Sequence, residues 1–284
     1  MRFIAPIALL FTALFVHGPS QARADWDLNI VITNRSSFSS SQIAILDQAI
    51  IDAEHLWESQ ITGTHGGAVD TFTVQLTGAN LGGSLGNANS TGNTTSGPFT
   101  LSTGGSMRID FNGIDQFSNF MGVNVIDELL AHEIGHAMGI GTLWIANGVY
   151  VNNSGQYTGE HGLRAYRRDF DSSATFIPVE LNGGAGTRNA HWDQLMRSAG
   201  EAGTFDPNNP FNLDPRIGIT DNLGRDLSLE LMTGALDPDY GEPFLAPFTV
   251  QSLRDIGFLV VPEPTSLACL LISVALCASR RRRI

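Results

Sequence analysis

The chain has 284 residues, of which 28 are acidic and 16 are basic, and its formal net charge at pH 7 is −12. An acidic surface repels nucleic acid and anionic membranes, so neither is a predicted partner. With only two cysteines in the sequence, a small fold held together by disulfides is excluded. A chain of this length can form one sizeable domain around a hydrophobic core.

The first segment predicts a secretory signal peptide. Arg2 is followed by an apolar run over residues 4–16, and small residues precede a cleavage position after Ala24. We therefore assign residues 1–24 to a signal peptide that a signal peptidase removes, and we expect the mature protein to leave the cytoplasm.

The next part of the chain predicts an α+β fold. Apolar residues alternate from Trp26 to Ile32, which is typical of a half-buried strand. Residues 39–61 carry apolar side chains at helical spacing, and residues 72–76 and 107–111 predict two more strands. Between these strands, residues 78–105 are rich in Gly, Ser, Asn and Thr. We expect that segment to be an exposed, flexible loop, because it offers little apolar surface to bury.

The segment His132-Glu133-Ile134-Gly135-His136 is the strongest functional signal, and it lies in a stretch with the apolar spacing of a helix. Residues four apart share one face of a helix, so His132 and His136 can direct two ring nitrogens at one metal ion. A carboxylate at Glu133 can take a proton from a zinc-bound water, as metal-assisted amide hydrolysis requires. The pattern therefore predicts the zinc site of a peptidase.

A catalytic zinc site needs a third protein ligand. Thr142 occupies the position six residues after His136, and it is not a plausible ligand. His17 lies in the predicted signal peptide, and His55 and His65 are expected at the surface. Residue context alone leaves His161 and His191 as the candidates, together with the carboxylate of Glu160.

Three segments of the chain resemble the leishmanolysin family of metzincin peptidases. They are residues 132–144 (HEIGHAMGIGTLW), residues 190–193 (AHWD) and residues 230–234 (ELMTG). Residues 248–260 also resemble the closing helix and turn of that family. The resemblance is strong at the three motifs and weak between them.

This resemblance implies His132, His136 and His191 as zinc ligands, Glu133 as the general base, and Met232 as the Met-turn residue beneath the metal. It implies a metzincin-type zincin over residues 25–261, with an N-terminal subdomain that carries a mixed sheet and the zinc helix. The C-terminal subdomain would carry the Met-turn and the closing helix. Residues 142–190 would be an insertion before the third histidine, and the tyrosines and phenylalanines in it can line substrate pockets or pack the insertion itself.

The expected activity is that of a secreted zinc endopeptidase acting on proteins or peptides. The alternative is a non-catalytic surface or matrix protein that uses a zinc-stabilised module for binding. Glu133 favours the enzyme, because a purely structural zinc site gains nothing from an unligated carboxylate beside the metal.

The C-terminal segment, residues 262–284, contains Pro262-Glu263-Pro264, an apolar stretch from Leu267 to Ala278, and four consecutive arginines. This arrangement resembles the PEP-CTERM sorting signal of Gram-negative bacteria. The resemblance implies transient membrane anchoring, cleavage by an exosortase-type enzyme, and delivery to the cell surface or extracellular matrix.

One further region offers ligands for a hard cation. Its oxygen-bearing side chains can bind Ca²⁺, although a solvated loop is the favoured interpretation. The residues are Asp206, Asn208, Asn209, Asn212, Asp214, Asp221 and Asp226.

Overall fold

The structure, a computed structural model, describes residues 26–120, 122–194, 220–236 and 242–262. The predicted signal peptide, most of the sorting tail and residues 206–214 of the calcium prediction lie outside this part. The fold is α+β, as predicted. Its strands are β1 (Asp27–Ile32), β2 (Ile61–Thr64), β3 (Thr71–Ala79), β4 (Gly86–Ser96), β5 (Phe99–Asp110), β6 (Gln156–Tyr157), β7 (Ile177–Pro178) and β8 (Phe258–Val260). Its helices are α1 (Ser40–Glu58), α2 (Phe111–Phe117), α3 (Ile126–Met138), α4 (Glu160–Asp169) and α5 (Pro247–Arg254).

The main sheet is mixed and has the strand order β1-β3-β5-β4. β1, β3 and β5 run parallel, whereas β4 pairs antiparallel with β5. Both α1 and the sheet pack against α3, whose apolar residues are almost completely buried. The helix that carries the histidine motif is therefore held between a helix and a sheet.

Helix α1 confirms the helix predicted within residues 39–61, although it ends at Glu58 and Ile61 begins β2, and it starts with a capping box. The Ser39 side chain accepts a hydrogen bond from the backbone N–H of Gln42, and the Gln42 side chain accepts one from the N–H of Ser39. Along its inner face Leu46 and Trp57 are buried, and the Trp57 ring N–H donates to the carbonyl of Ala131 in α3. This bond joins α1 to the turn of α3 just before His132.

The prediction of a flexible loop at residues 78–105 is wrong for most of that segment. Strands β4 and β5 form a long hairpin joined by Gly97 and Pro98, and Gly97 has a φ of +56°. Along β4 only Ala88 is buried, because the strand lies at the edge of the sheet and needs few apolar side chains. Threonines on both sides of the Gly-Pro pair are the sequence signal that could have indicated strands.

The segment between α3 and the third histidine is ordered around aromatic side chains. Trp144 stacks on Trp192 with ring centroids 4.5 Å apart. Tyr157 and Phe248 contact the Trp192 indole in edge-on geometry. All four side chains are buried. Tyr166 and Phe170 also pack against Phe248, so these aromatic side chains pack the segment against helix α5.

The end of the described chain returns to its beginning. β8 follows α5 and pairs antiparallel with β2, which attaches the closing segment to the N-terminal half of the molecule. Buried residues from both halves form one continuous hydrophobic core. Among the described helices, none combines the length and the apolar character needed to cross a membrane.

Candidate metal centre

Helix α3 presents the histidine motif to a cleft in the surface. His132 and His136 are one helical turn apart, and their rings lie 4.7 Å from each other between centroids. The helix begins at Ile126, whose N–H donates to the side chain of Asn124, and it ends at Gly139 with a φ of +126°. The predicted helix is thus confirmed.

His191 comes from a separate loop, 55 residues after His136 in the chain. The loop is held by the backbone on both sides of the histidine, because the His191 carbonyl accepts from the N–H of Glu180 and the Trp192 N–H donates to the carbonyl of Met232. Gly141 lets this loop approach the end of α3, since a Cβ there would collide with the backbone of Ala190. The tertiary structure thereby brings the third histidine to the other two.

The three Nε2 atoms converge on one point. They are separated by 3.1 Å between His132 and His136, 3.1 Å between His132 and His191, and 3.0 Å between His136 and His191. No other Asp, Glu, His or Cys of the described chain belongs to this group.

Backbone carbonyls determine the tautomer of each ring. Nδ1 of His132 donates to Leu231 O at 2.6 Å, Nδ1 of His136 to Ile140 O at 3.0 Å, and Nδ1 of His191 to Thr187 O at 2.9 Å. A carbonyl oxygen can only accept, so in the neutral ring the proton resides on Nδ1 and Nε2 carries a lone pair. Three lone pairs therefore face one another at close range.

Burial keeps these rings neutral. It lowers the pKa of His132 to about 3, and it also lowers the pKa of His136 and His191 below their ordinary value of 6.5. The neighbouring histidines lower the pKa of His132 and His136 further, because positive charges on adjacent rings repel one another. Neutral imidazole is the form that binds a metal ion.

Glu133 lies beside the histidines in a buried position. Its Oε2 atom has no hydrogen-bond partner among the described residues, and burial raises the pKa of Glu133 to about 8. Gly86 at the start of β4 packs directly against this carboxylate, since a Cβ on Gly86 would lie 2.5 Å from Oε1. The sequence analysis did not identify Gly86, because glycine is common throughout that segment and only the contact distinguishes it.

Met232 packs against the same turn of α3. The side chain is completely buried, and its Sδ would be 2.6 Å from a Cβ on Gly135, the residue between the two helical histidines. The missing side chain at Gly135 therefore lets the methionine pack against the helix backbone directly below the histidine rings.

The histidines and Glu133 open onto a cleft of about 710 Å³. One wall is the segment from Gly83 to Asn89, which includes the start of the edge strand β4. The opposite walls are built mainly from small residues of two loops, residues 185–190 and 233–236. The cleft thus combines an exposed strand edge with a polar floor.

The donor set fits zinc. Three neutral imidazole nitrogens are a common ligand set for catalytic Zn²⁺, and such sites leave one further position for water or substrate. Within the described residues, no fourth side-chain donor closes the group, and the buried Glu133 oxygen lies beside it. His132, His136 and His191 would hold the ion.

The rival ligands lie elsewhere. The Glu160 side chain is exposed and pairs with Arg164, and the ring of His161 also contacts Arg164. His55 is exposed, and His65 hydrogen-bonds to Ser96 beside the turn of the β4–β5 hairpin. The structure brings none of these residues to the metal centre.

Two members of the predicted calcium region are described, and both are engaged by the protein itself. Asp221 forms an ion pair with Arg225 at 2.8 Å, and Asp226 accepts a hydrogen bond from the N–H of Ser228. The remaining members of the region lie outside the described residues.

The chain matches no family model, and a search of curated proteins found no match. The functional argument therefore depends on the site itself.

Proposed function

We propose that this chain is a zinc-dependent endopeptidase of the metzincin type that cleaves proteins or peptides outside the cell. The observation that carries the proposal is the convergence of three neutral histidine nitrogens beside a buried, unpaired carboxylate in an open cleft. A zinc ion held there would lower the pKa of a bound water and polarise the scissile carbonyl. The resemblance of the three sequence motifs to leishmanolysin agrees with this assignment.

The edge strand β4 supports a peptide as the substrate. β4 pairs with β5 on one side only, so among the described strands its outer edge has no strand partner and could pair with the backbone of an extended peptide. The beginning of β4 also lines the cleft that contains Glu133. A peptide added to this edge would run across the three histidines, and the small residues of the opposite wall leave room for its side chains.

Glu133 is the group that moves the proton. Its carboxylate would take a proton from the attacking water and deliver it to the nitrogen of the leaving amine. Burial raises the pKa of Glu133 to about 8 in the metal-free chain, and a zinc ion held by the three histidines would lower that value, because a nearby positive charge favours the carboxylate that accepts the proton. Gly86 and the surrounding core hold the carboxylate in place for both transfers.

The histidines, in turn, are oriented before any substrate binds. Each Nδ1–H is held by a backbone carbonyl, which directs each Nε2 at the same point without cost at the time of reaction. Met232 supports the two helical ligands from below. The three histidines would therefore form a rigid metal site, and Glu133 beside them would carry the proton.

The experiment is cleavage of casein by the purified protein with zinc, with a zinc chelator, and with the variant Glu133→Gln. We expect the chelator to abolish cleavage and the variant to lose at least about 100-fold in rate, as expected for a missing general base. The variant should bind zinc with the wild-type stoichiometry, because it retains all three histidines. Cleavage that survives in the zinc-loaded variant would refute the role of Glu133, and cleavage that survives the chelator would refute the zinc mechanism.

A further inference from the structure

Glu230 is a buried carboxylate for which the proposed mechanism has no use. It is 1% exposed and lies two residues before Met232. Burial raises the pKa of Glu230 to about 7, although three hydrogen bonds to its oxygens oppose that rise. A buried carboxylate is costly unless its partners compensate, so its contacts indicate what the group does.

One oxygen of Glu230 organises the turn beneath the metal centre. Oε2 accepts from the N–H of Met232 at 2.7 Å, and the Glu230 carbonyl accepts from the N–H of Thr233 at 3.1 Å. These two bonds fold residues 230–233 into a tight turn. The carbonyls of Leu231 and Met232 in this turn then accept hydrogen bonds from the segments that contain His132 and His191.

Two of the three candidate ligands depend on those carbonyls. Leu231 O accepts from Nδ1 of His132 at 2.6 Å, and Met232 O accepts from the N–H of Trp192, the residue directly after His191. A rotation of the turn would therefore change the orientation of His132 and the position of His191 together.

The other oxygen of Glu230 joins the turn to helix α5 and to Trp192. Oε1 accepts from the N–H of Ala246 at 3.1 Å and from the Thr249 hydroxyl at 2.6 Å. The Thr249 oxygen in turn accepts from the indole N–H of Trp192 at 2.9 Å. The loop that carries His191 and Trp192 is thus connected to Glu230 by two routes. One runs through the backbone of the turn, and the other runs through the Thr249 hydroxyl.

We propose that Glu230 is a positioning residue for the metal centre, which acts by holding the 230–233 turn and the Trp192 loop in the one arrangement that directs His132 and His191 at the same ion. This inference rests on the metal site of the proposed function. It concerns metal affinity, and so it can be tested without measuring peptide cleavage.

Asp255 provides a matched control. It is also a buried carboxylate with three donors: its Oδ1 accepts from the N–H of His161, and its Oδ2 accepts from the N–H of Gly162 and from the Tyr157 hydroxyl. The donors are divided between the two oxygens in the same way as at Glu230. Two of these donors lie at the start of α4, and the third, Tyr157, lies in β6, where its ring packs against Trp192; none of the three belongs to the turn of residues 230–233.

The test compares Glu230→Gln with Asp255→Asn in the full chain. An amide has one acceptor oxygen, so each variant leaves at least one buried donor facing an NH₂ group. We measure zinc affinity by competition with a chromophoric chelator, and we measure the melting temperature of the metal-free proteins. Glu230→Gln should lower zinc affinity by about 10-fold to 100-fold, as loss of an outer-shell partner does, whereas Asp255→Asn should lower only the melting temperature.

Wild-type zinc affinity in Glu230→Gln would overturn the proposal, and so would an equal loss of affinity in both variants. If Glu230→Gln does not fold, Thr249→Val and Thr249→Ser decide the question, because both keep the Glu230 carboxylate. The valine variant breaks the link from Glu230 to Trp192 and should bind zinc more weakly. The serine variant keeps the hydroxyl and should bind zinc as the wild type does, whereas equal affinities in the two variants would overturn the proposal.

The endopeptidase activity and the role of Glu230 can be refuted separately. A protein that binds zinc in the predicted rank order but cleaves no peptide would refute the endopeptidase and leave the role of Glu230 intact. A protein whose cleavage depends on Glu133 but whose zinc affinity does not depend on Glu230 would do the reverse.

Discussion

Gly86 and the carboxylate of Glu133 are packed so closely that a Cβ on Gly86 would lie 2.5 Å from Oε1 and 3.0 Å from Cδ. The edge strand and the proposed general base are thus in direct contact. Strand β4, which would bind a peptide substrate, therefore also limits the position of the Glu133 carboxylate.

The first prediction concerns this contact. Gly86→Ala should displace the Glu133 carboxylate and lower the rate of peptide cleavage by roughly 100-fold, the order of loss expected when a catalytic group moves by about 1 Å. Zinc content should stay at the wild-type level, because the three histidines are untouched. The control is Gly184→Ala, since a Cβ at Gly184 meets open space. Wild-type cleavage by Gly86→Ala would mean that the carboxylate can act from another position.

The second prediction concerns the floor of the metal centre. Alanine is favoured over glycine by about 1 kcal/mol inside a helix, so Gly135→Ala would stabilise the protein if there were room for a methyl group. A Cβ there would lie 2.6 Å from Sδ and 2.8 Å from Cε of Met232, which is completely buried. We therefore expect Gly135→Ala to destabilise the protein by about 1–3 kcal/mol in urea unfolding, as overpacking does.

Met232→Ala provides the control for that prediction. In a protein that already carries Met232→Ala, the added methyl group at Gly135 has space, so the same substitution should cost less or become stabilising. Strictly additive effects of the two substitutions would show that the contact between Gly135 and Met232 does not limit the packing.

The third prediction concerns the third ligand. His191→Ala should lose bound zinc after dialysis against metal-free buffer, whereas His161→Ala should retain about one zinc per chain, as expected for a site with a single ion. The physical reason is that His191 Nε2 lies 3.0–3.1 Å from its two partners, while the His161 ring faces Arg164. Zinc should also raise the melting temperature of the His161 variant and leave that of the His191 variant unchanged. The opposite pattern would assign the ligand to His161.

The fourth prediction concerns the stability of the metal-free protein as a function of pH. Burial lowers the pKa of the three histidines below 6.5, so as pH falls below 6.5 the unfolded chain takes up protons that the folded chain does not, and stability is lost. Burial raises the pKa of Glu133 to about 8 and of Glu230 to about 7, so as pH rises from 4.5 the unfolded chain ionises first and these groups reduce stability. Above pH 6.5 the histidines stop contributing, whereas the carboxyl groups with raised pKa values, among them Glu128 at about 8, still do, so stability should fall as pH rises from 6.5 to 8.

Urea unfolding of the chelator-treated protein at pH 5, 6.5 and 8 measures this dependence, which follows from the directions of the pKa shifts. Glu133→Gln should flatten the decline between pH 6.5 and 8, because the amide does not titrate. A stability that rises over that interval in the wild type would contradict the assigned shifts.

Local features of the sequence were sufficient to predict the helical half of the candidate metal centre. The spacing of His132 and His136, with Glu133 beside the first, specifies a shared helical face because the α-helix has a period of 3.6 residues. The helical spacing of apolar residues in α1 and the alternation in β1 were equally local, and the structure confirms both elements. These predictions depend on neighbours within a few positions of the chain.

Only the tertiary structure decided the features that depend on contacts distant in sequence. It chose His191 over His161, because loop packing around Gly141 and Met232 brings His191 to the helix. It showed that the polar residues 86–96 form the edge strand β4, because this strand is stabilised by backbone pairing with β5 and not by burial of apolar side chains. It also placed Gly86 against Glu133 and Glu230 beneath the histidines. Periodicity cannot report such pairings, since they are determined by which surfaces meet when the whole chain packs.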